Sequence, residues 1–265
     1  MATEPRNEGS QPKVAVVTLF PQMFAALTEF GITGRAIVDK KLGLHFENPR
    51  DYADNPHGNV DDKPYGGGPG MVMSVAPLRA AINAAKHYCE ERSESEKATS
   101  PSVEKTATTK VVYMSPQGKP LDQALVDELA EALLASTHLV LLCGRYEGID
   151  ERVIEQDVDL EVSLGDYVLS GGEIAAMALL DAVIRKLPGA LGDEGSATQD
   201  SFAGRGLLDW PHYTRPEDVD GQRVPEVLLS GNHQKIEQWR ARQVLERTQA
   251  KRPDLLAQAE LTDKE

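Results

Sequence analysis

Apolar positions in this chain fall into short dense runs separated by glycine-rich or polar stretches, and the spacing inside the runs switches between strand and helix. Residues 13–20, KVAVVTLF, form an almost unbroken apolar run of strand length. Pro21 follows and opens a short helix through Gln22, Met23, Phe24 and Leu27, because proline suits a first helical turn. Residues 42–46 alternate weakly, as a strand does. Residues 47–70 are rich in Pro, Gly, Asp and Asn and close on Tyr65, Gly66, Gly67, Gly68, Pro69 and Gly70. Loops of this length are functional or disordered, and dense glycines around one tyrosine favour function. Leu78, Ala81, Ile82 and Ala85 recur at helical spacing and predict a helix over 77–88. Residues 90–109 are mostly Ser, Thr, Glu and Lys, too poor in apolar side chains to fold alone, and read as a surface insertion without chemistry.

The same alternation continues. Residues 110–114 read as a strand, 115–118 as a turn, and 122–135 as an amphipathic helix built on Leu125, Leu129 and Leu133. A second apolar strand over 138–143 closes on the glycine loop 144–148. Residues 163–173, SLGDYVLSGGE, set glycines and acids between a strand-like segment and an apolar helix over 173–186, which Pro188 and Gly189 end. Strand, glycine loop and helix in alternation predict an α/β fold with a mainly parallel sheet, whose ligands sit at the carboxyl ends of the strands. Residues 189–208 form a polar linker to a small helical tail over 209–265, with a helix from His233 to Lys251 between the turn Gly231-Asn232 and Pro253. The polar segment 1–12 reads as a disordered leader, and the sheet domain as 13–188.

Composition narrows the classes. No apolar run approaches the roughly 20 residues that span a bilayer, and the first residues lack the apolar stretch of a secretory signal, so a cytoplasmic protein is expected. Cys89 and Cys143 are the only cysteines, without a CxxC or a Cys/His cluster, which argues against a disulfide framework or a zinc site. Net charge is -14, which opposes indiscriminate binding of nucleic acid. Yet 232–252 holds Lys235, Arg240, Arg242, Arg247, Lys251 and Arg252 against Glu237 and Glu246, a local basic stretch suited to a phosphate backbone or to a solvated helix with i,i+4 pairs.

Three loops, 115–118, 144–148 and 164–172, follow strands and converge on one crevice if the sheet is parallel. Neither a P-loop nor a GxGxxG fingerprint accompanies them, so a nucleoside-like ligand without a polyphosphate fits better than ATP or NAD. S-adenosylmethionine is such a ligand.

The strings YGGGPGM at 65–71, SPQG at 115–118, CGRYEGIDERV at 143–153, GDYVLSGGE at 165–173, SATQDSF at 196–202, PHYTRP at 211–216 and LLSGNH at 228–233 resemble the bacterial tRNA (guanine-N1-)-methyltransferases that act on guanine 37, 3′ of the anticodon. The resemblance runs in order from Lys13 to the C-terminus; the polar leader and the 90–109 segment depart from it outside every motif. It implies a SPOUT-type α/β fold with a deep trefoil knot, a rarity that sequence patterning would never favour. It also implies a homodimer with the active site at the subunit interface, and a C-terminal helical domain that grips tRNA. Carried onto matching positions, the donor site is Tyr113, Met114, Ser115, Pro116, Gln117 and Gly118; then Gly144, Tyr146, Glu147 and Gly148; then Leu164, Gly165, Asp166, Tyr167, Val168, Leu169 and Gly171. Glu147 and Asp166 would hold a ribose hydroxyl, the donor's amino group or a magnesium ion. His212, Arg215, Lys235, Arg240 and Arg242 would contact the anticodon stem, mostly through phosphates.

Methylating guanine N1 needs a base for its proton and a partner for the negative charge that develops on O6. By resemblance Asp200 is the base and Arg185 the cationic partner. On their own residues, Asp200 is a linker acid and Arg185 a cation at a helix C-terminus, where cations are favoured. An aspartate in water is a weak base, so the linker is expected to exclude water when tRNA binds. The rival readings are a SPOUT enzyme that methylates a ribose 2′-hydroxyl, and a non-catalytic adenosine- or RNA-binding module.

Overall fold

A computed structural model of the chain describes residues 11–91, 108–192 and 199–259. The chain divides into two compact units, 1–192 and 193–265. In the first, β1 (Lys13–Val17) is fully buried, and the 3₁₀ turn Pro21–Phe24 starts at the expected proline. Next come the helices Ala25–Thr28 and Gly31–Val38, β2 (Gly43–Glu47), the two-residue strands β3 (Asp61–Asp62) and β4 (Val72–Met73), and the helix Val75–Glu90. Of the predicted insertion 90–109, residues 92–107 lie outside the described residues, while Glu90 ends the preceding helix and Thr108 and Thr109 begin a strand; then come β5 (Thr108–Pro120), the helix Gln123–Leu134, β6 (Thr137–Cys143), the helix Glu151–Asp157, β7 (Leu160–Ser163) and the helix Glu173–Ile184.

The main sheet runs β2-β1-β6-β5-β7, and every neighbouring pair is parallel. Its central strands are covered on both faces, which is why they read as continuous apolar runs. Val14, Val16, Leu139 and Leu141 pack on one side with Leu129 and Leu133 of Gln123–Leu134 and with Leu179 and Val183 of Glu173–Ile184. Ala15, Val17, Val140 and Leu142 pack on the other with Leu78, Ala81 and Ile82 of Val75–Glu90. Pro12 already joins this sheet, its carbonyl accepting Gly43 N–H at 2.8 Å, and Gln11 donates to Lys40 C=O at 3.0 Å, so the last two residues of the expected leader are part of the fold.

β5 carries the feature that shapes the site. Met114 and Lys119 both stand opposite Val162 of β7, so 115–118 leave the ladder as an excursion and the strand then resumes. Gly118 makes this possible, because a Cβ there would collide with the backbone of Glu161 and Val162.

In the second unit the described part of the expected linker, 199–208, is more structured than its composition suggests. Phe202 N–H donates to Leu207 C=O at 2.7 Å, and Asp209 N–H to Ser201 Oγ at 3.1 Å. Leu208 N–H donates to the fully buried Thr248 hydroxyl at 3.1 Å, pinning the segment to the long helix. A hairpin pairs Asp218–Val219 with Gln222–Arg223 through Asp220 and Gly221, both at positive φ, the turn that an Asp-Gly pair favours. The helix Glu226–Leu229 leads to His233–Lys251, capped by the Asn232 side chain accepting Lys235 N–H at 3.1 Å, and Pro253–Gln258 follows.

Candidate active site

A cleft of about 250 Å³ opens where β6, β5 and β7 end. Its walls are the three loops that the sequence singles out, brought together because the strands before them are adjacent and parallel. Tyr113, Met114, Ser115, Pro116 and Gln117 line it from β5, Gly144, Tyr146, Glu147 and Gly148 from β6, and Leu164, Tyr167, Val168, Leu169 and Gly171 from beyond β7. Gly118, Gly165 and Asp166 are not among the lining residues. Gly118 instead lies against β7, as its close approach requires.

Close packing holds the walls in place. Gly172 N–H donates to Gly144 C=O at 2.9 Å, which ties the third loop to the second, and a Cβ at Gly172 would come within 2.8 Å of Cys143 Cα. Tyr113 passes beneath Gly144, and its hydroxyl pKa is pushed up to about 12 by burial, then by the charges of Glu161 and Glu151. Tyr146 has φ 62°, a left-handed conformation that costs a non-glycine residue energy. Its hydroxyl pKa is also raised, by burial first and then by a hydrogen bond with Asp61, while Arg50 opposes the shift.

Arg145 and Glu173 are lining and supporting residues that sequence reasoning passed over. Arg145 lines the cleft, and its Nη2 meets Glu173 Oε2 at 2.9 Å, with Glu173 fully buried. Thr18 Oγ1 donates to Glu173 Oε1 at 2.9 Å, and Arg145 Nη1 donates to Ser170 C=O at 3.1 Å. The guanidinium also lies over the Phe20 ring, 4.4 Å from its centroid. One buried carboxylate thus holds an arginine that joins the second loop to the third. No periodicity reports a pair 28 residues apart; a glutamate heading a mostly apolar helix is the one hint in the sequence.

The lining is acidic. Glu147, Glu151 and Glu161 border the cleft, and Arg145, committed to Glu173, is the one cation among the lining residues. Such a site opposes a polyphosphate and suits a ligand that is neutral or positive. Among the described residues no group of three or more His, Cys, Asp or Glu stands where it would hold a metal ion. Both cysteines are buried thiols, and burial raises the Cys143 pKa well above its ordinary value.

The other predicted residues lie elsewhere. Arg185 is half-buried at the C-terminal end of Glu173–Ile184 and is not among the lining residues. Asp200 is exposed and belongs to the second unit. There His212 Nε2 meets Asp209 Oδ2 at 3.1 Å and Arg215 is exposed. Arg240 lies over the Trp210 ring at 4.7 Å and pairs with Glu237 at 2.8 Å; Arg242 pairs with Glu246 at 3.6 Å, and Lys235 is exposed in the first turn of its helix. Sequence patterning left out the aromatic part of this surface, where Trp210 packs on His212 at 5.8 Å and Tyr213 on Trp239 at 6.4 Å.

Residues 12–258 match the family model described as tRNA (Guanine-1)-methyltransferase TrmD. Among similar proteins is a tRNA (guanine-N(1)-)-methyltransferase of Pasteurella multocida (strain Pm70), 55% identical over 252 residues that cover 95% of this chain and 94% of the relative. Proteins of the same name from Shewanella sp. (strain ANA-3) and Shewanella baltica (strain OS185) are each 55% identical over 95% of this chain and 93% of theirs.

Proposed function

Because the chain belongs to the tRNA (guanine-1)-methyltransferase TrmD family, we propose that it methylates N1 of the guanine at tRNA position 37 with S-adenosylmethionine as the methyl donor. The chain is a methyltransferase acting on tRNA guanine; the position, the donor and the residue roles are our reading.

The acidic cleft carries the donor assignment. S-adenosylmethionine bears a sulfonium and an ammonium beside one carboxylate, a net positive ligand for a lining with Glu147, Glu151 and Glu161 and a single, committed arginine. When bound, it supplies an electrophilic methyl group. Residues 113–117 and 144–148, with Leu164, Tyr167, Val168, Leu169 and Gly171, would hold its adenosine, in large part through backbone groups. In this reading the cleft lies within a deep trefoil knot of the SPOUT type, and the protein works as a homodimer. The second unit, contributed by the partner subunit, binds tRNA beside the donor through His212, Arg215, Lys235, Arg240 and Arg242. Action on tRNA places the enzyme in the cytoplasm, and among the described residues no helix is long and apolar enough to cross a membrane.

Asp200 takes the proton from guanine N1, and Arg185 faces the charge that develops on O6. Both act only once tRNA brings guanine between them, so neither needs to line the cleft. Asp200→Asn is expected to keep donor affinity while lowering single-turnover methyl transfer by about 10²- to 10⁴-fold. Near wild-type transfer in that variant would remove Asp200 from the mechanism.

A further inference from the structure

The glycine loop at 65–70 takes no part in the donor site, yet its far end is built into the cleft wall. Met71 C=O accepts Glu147 N–H at 2.9 Å, Met73 N–H donates to Gly148 C=O at 3.0 Å, and Asp150 N–H donates to Met73 C=O at 3.2 Å. Gly70, at φ 77°, lies so close to the Glu147 carboxylate that a Cβ there would run into it. Glu147 lines the cleft, so this end of the loop moves with the wall or not at all.

The near end is open. Tyr65 is fully exposed at 101%. Gly66, Gly67 and Gly68 follow at φ 84°, 78° and 126°, with no atom within 4 Å of where their side chains would begin. Five residues on from Tyr65, Gly70 meets the carboxylate of Glu147, which lines the cleft. An exposed aromatic ring therefore stands on glycine backbone without side chains, five residues before an anchor in the cleft wall. Folding leaves both faces of that ring in water, and an unstacked base can cover one of them. Bare glycine backbone beside it lets a sugar-phosphate chain approach closely.

We propose that Tyr65 is a nucleobase-stacking residue: the loop 65–70 presents its ring to an unpaired base of the RNA beside the guanine to be methylated, and so positions the substrate over the cleft. This rests on the tRNA reading above. Tyr65 is a positioning residue and takes no part in proton or methyl transfer.

Tyr65→Ala and Tyr65→Phe test it, with labelled tRNA titrated in the presence of donor and methyl transfer measured alongside. Loss of one base–aromatic stack predicts that Tyr65→Ala weakens tRNA binding by about 5- to 100-fold. KM for tRNA rises with it, while donor affinity and the mass of the assembly stay as in wild type. Tyr65→Phe, which keeps the ring faces, retains wild-type affinity. Unchanged tRNA affinity in Tyr65→Ala overturns the proposal. So does a Tyr65→Phe variant as weak as the alanine, or an effect that appears in donor affinity or assembly mass instead, which would assign the ring to the cleft or to a second copy of the chain. Failure of the wild type to methylate tRNA would strike the tRNA reading itself, a separate result from any difference between wild type and variant.

Discussion

At the scale of single residues, the candidate site depends on charges and volumes that are invisible one position at a time. Glu173 reads in the sequence only as the first residue of a helix, yet in the fold it is the buried counter-charge of Arg145 and accepts from Thr18. Removing one member of a buried pair leaves the other uncompensated. Glu173→Ala is accordingly expected to cost about 3–5 kcal/mol of stability in denaturant titration. It should also weaken donor binding, because Arg145 then no longer holds Ser170 and the third loop. A variant within 1 kcal/mol of wild type, on the order of an exposed pair's worth, would show that Arg145 is not held by this carboxylate. Most lining residues were legible because they sit in glycine loops just beyond apolar runs. Asp166 and Gly165 share such a loop without reaching the lining, since a loop of this length has an outer side as well as an inner one.

Elements were legible in proportion to their length. The helix His233–Lys251 begins and ends where Asn232 and Pro253 predict, and the helix Gln123–Leu134 starts after Asp122, whose side chain caps it. The helix Glu151–Asp157 spans about two turns, too short for a periodic pattern, and was not anticipated. The hairpin at Asp218–Val219 and Gln222–Arg223 was missed although its Asp-Gly turn is written in the sequence, because strands of two residues leave no alternation to see. The excursion at 115–118 looks like an ordinary turn in sequence; only the register, with Met114 and Lys119 sharing Val162, shows that the strand continues past it. Gly118→Ala tests that geometry. A methyl there must displace the β7 backbone, so donor affinity is expected to fall by about tenfold or more, with a lowered melting temperature, in calorimetric titration. Full donor affinity in a folded Gly118→Ala protein would mean that the 115–118 wall is not needed.

For the whole molecule, the parallel sheet was predicted because alternation of strand, loop and helix leaves few other arrangements, whereas nothing in the alternation tells how two units cooperate. Asp200 and Arg185 belong to different units, and tRNA is what unites them in the proposed reaction. The first unit also sets a limit on alkaline stability. Burial pushes Tyr113, Tyr52 and the Cys89 thiol up to about 12, from ordinary values of 10.0, 10.0 and 9.0. The unfolded chain loses these protons first, so the stabilisation is complete below pH 9 and drains away as pH rises towards 12. Thermal midpoints are expected to hold level from pH 7 to about 9 and to fall steadily above it; a midpoint that rises over that range would contradict the burial of these groups. The central claim is methylation of guanine N1 at tRNA position 37, and nucleoside mass spectrometry of tRNA incubated with enzyme and S-adenosylmethionine tests it most directly. The account predicts 1-methylguanosine in tRNA carrying guanine at that position and none when adenine replaces it; a methyl group on a ribose hydroxyl, or on guanine elsewhere in both tRNAs, would contradict it.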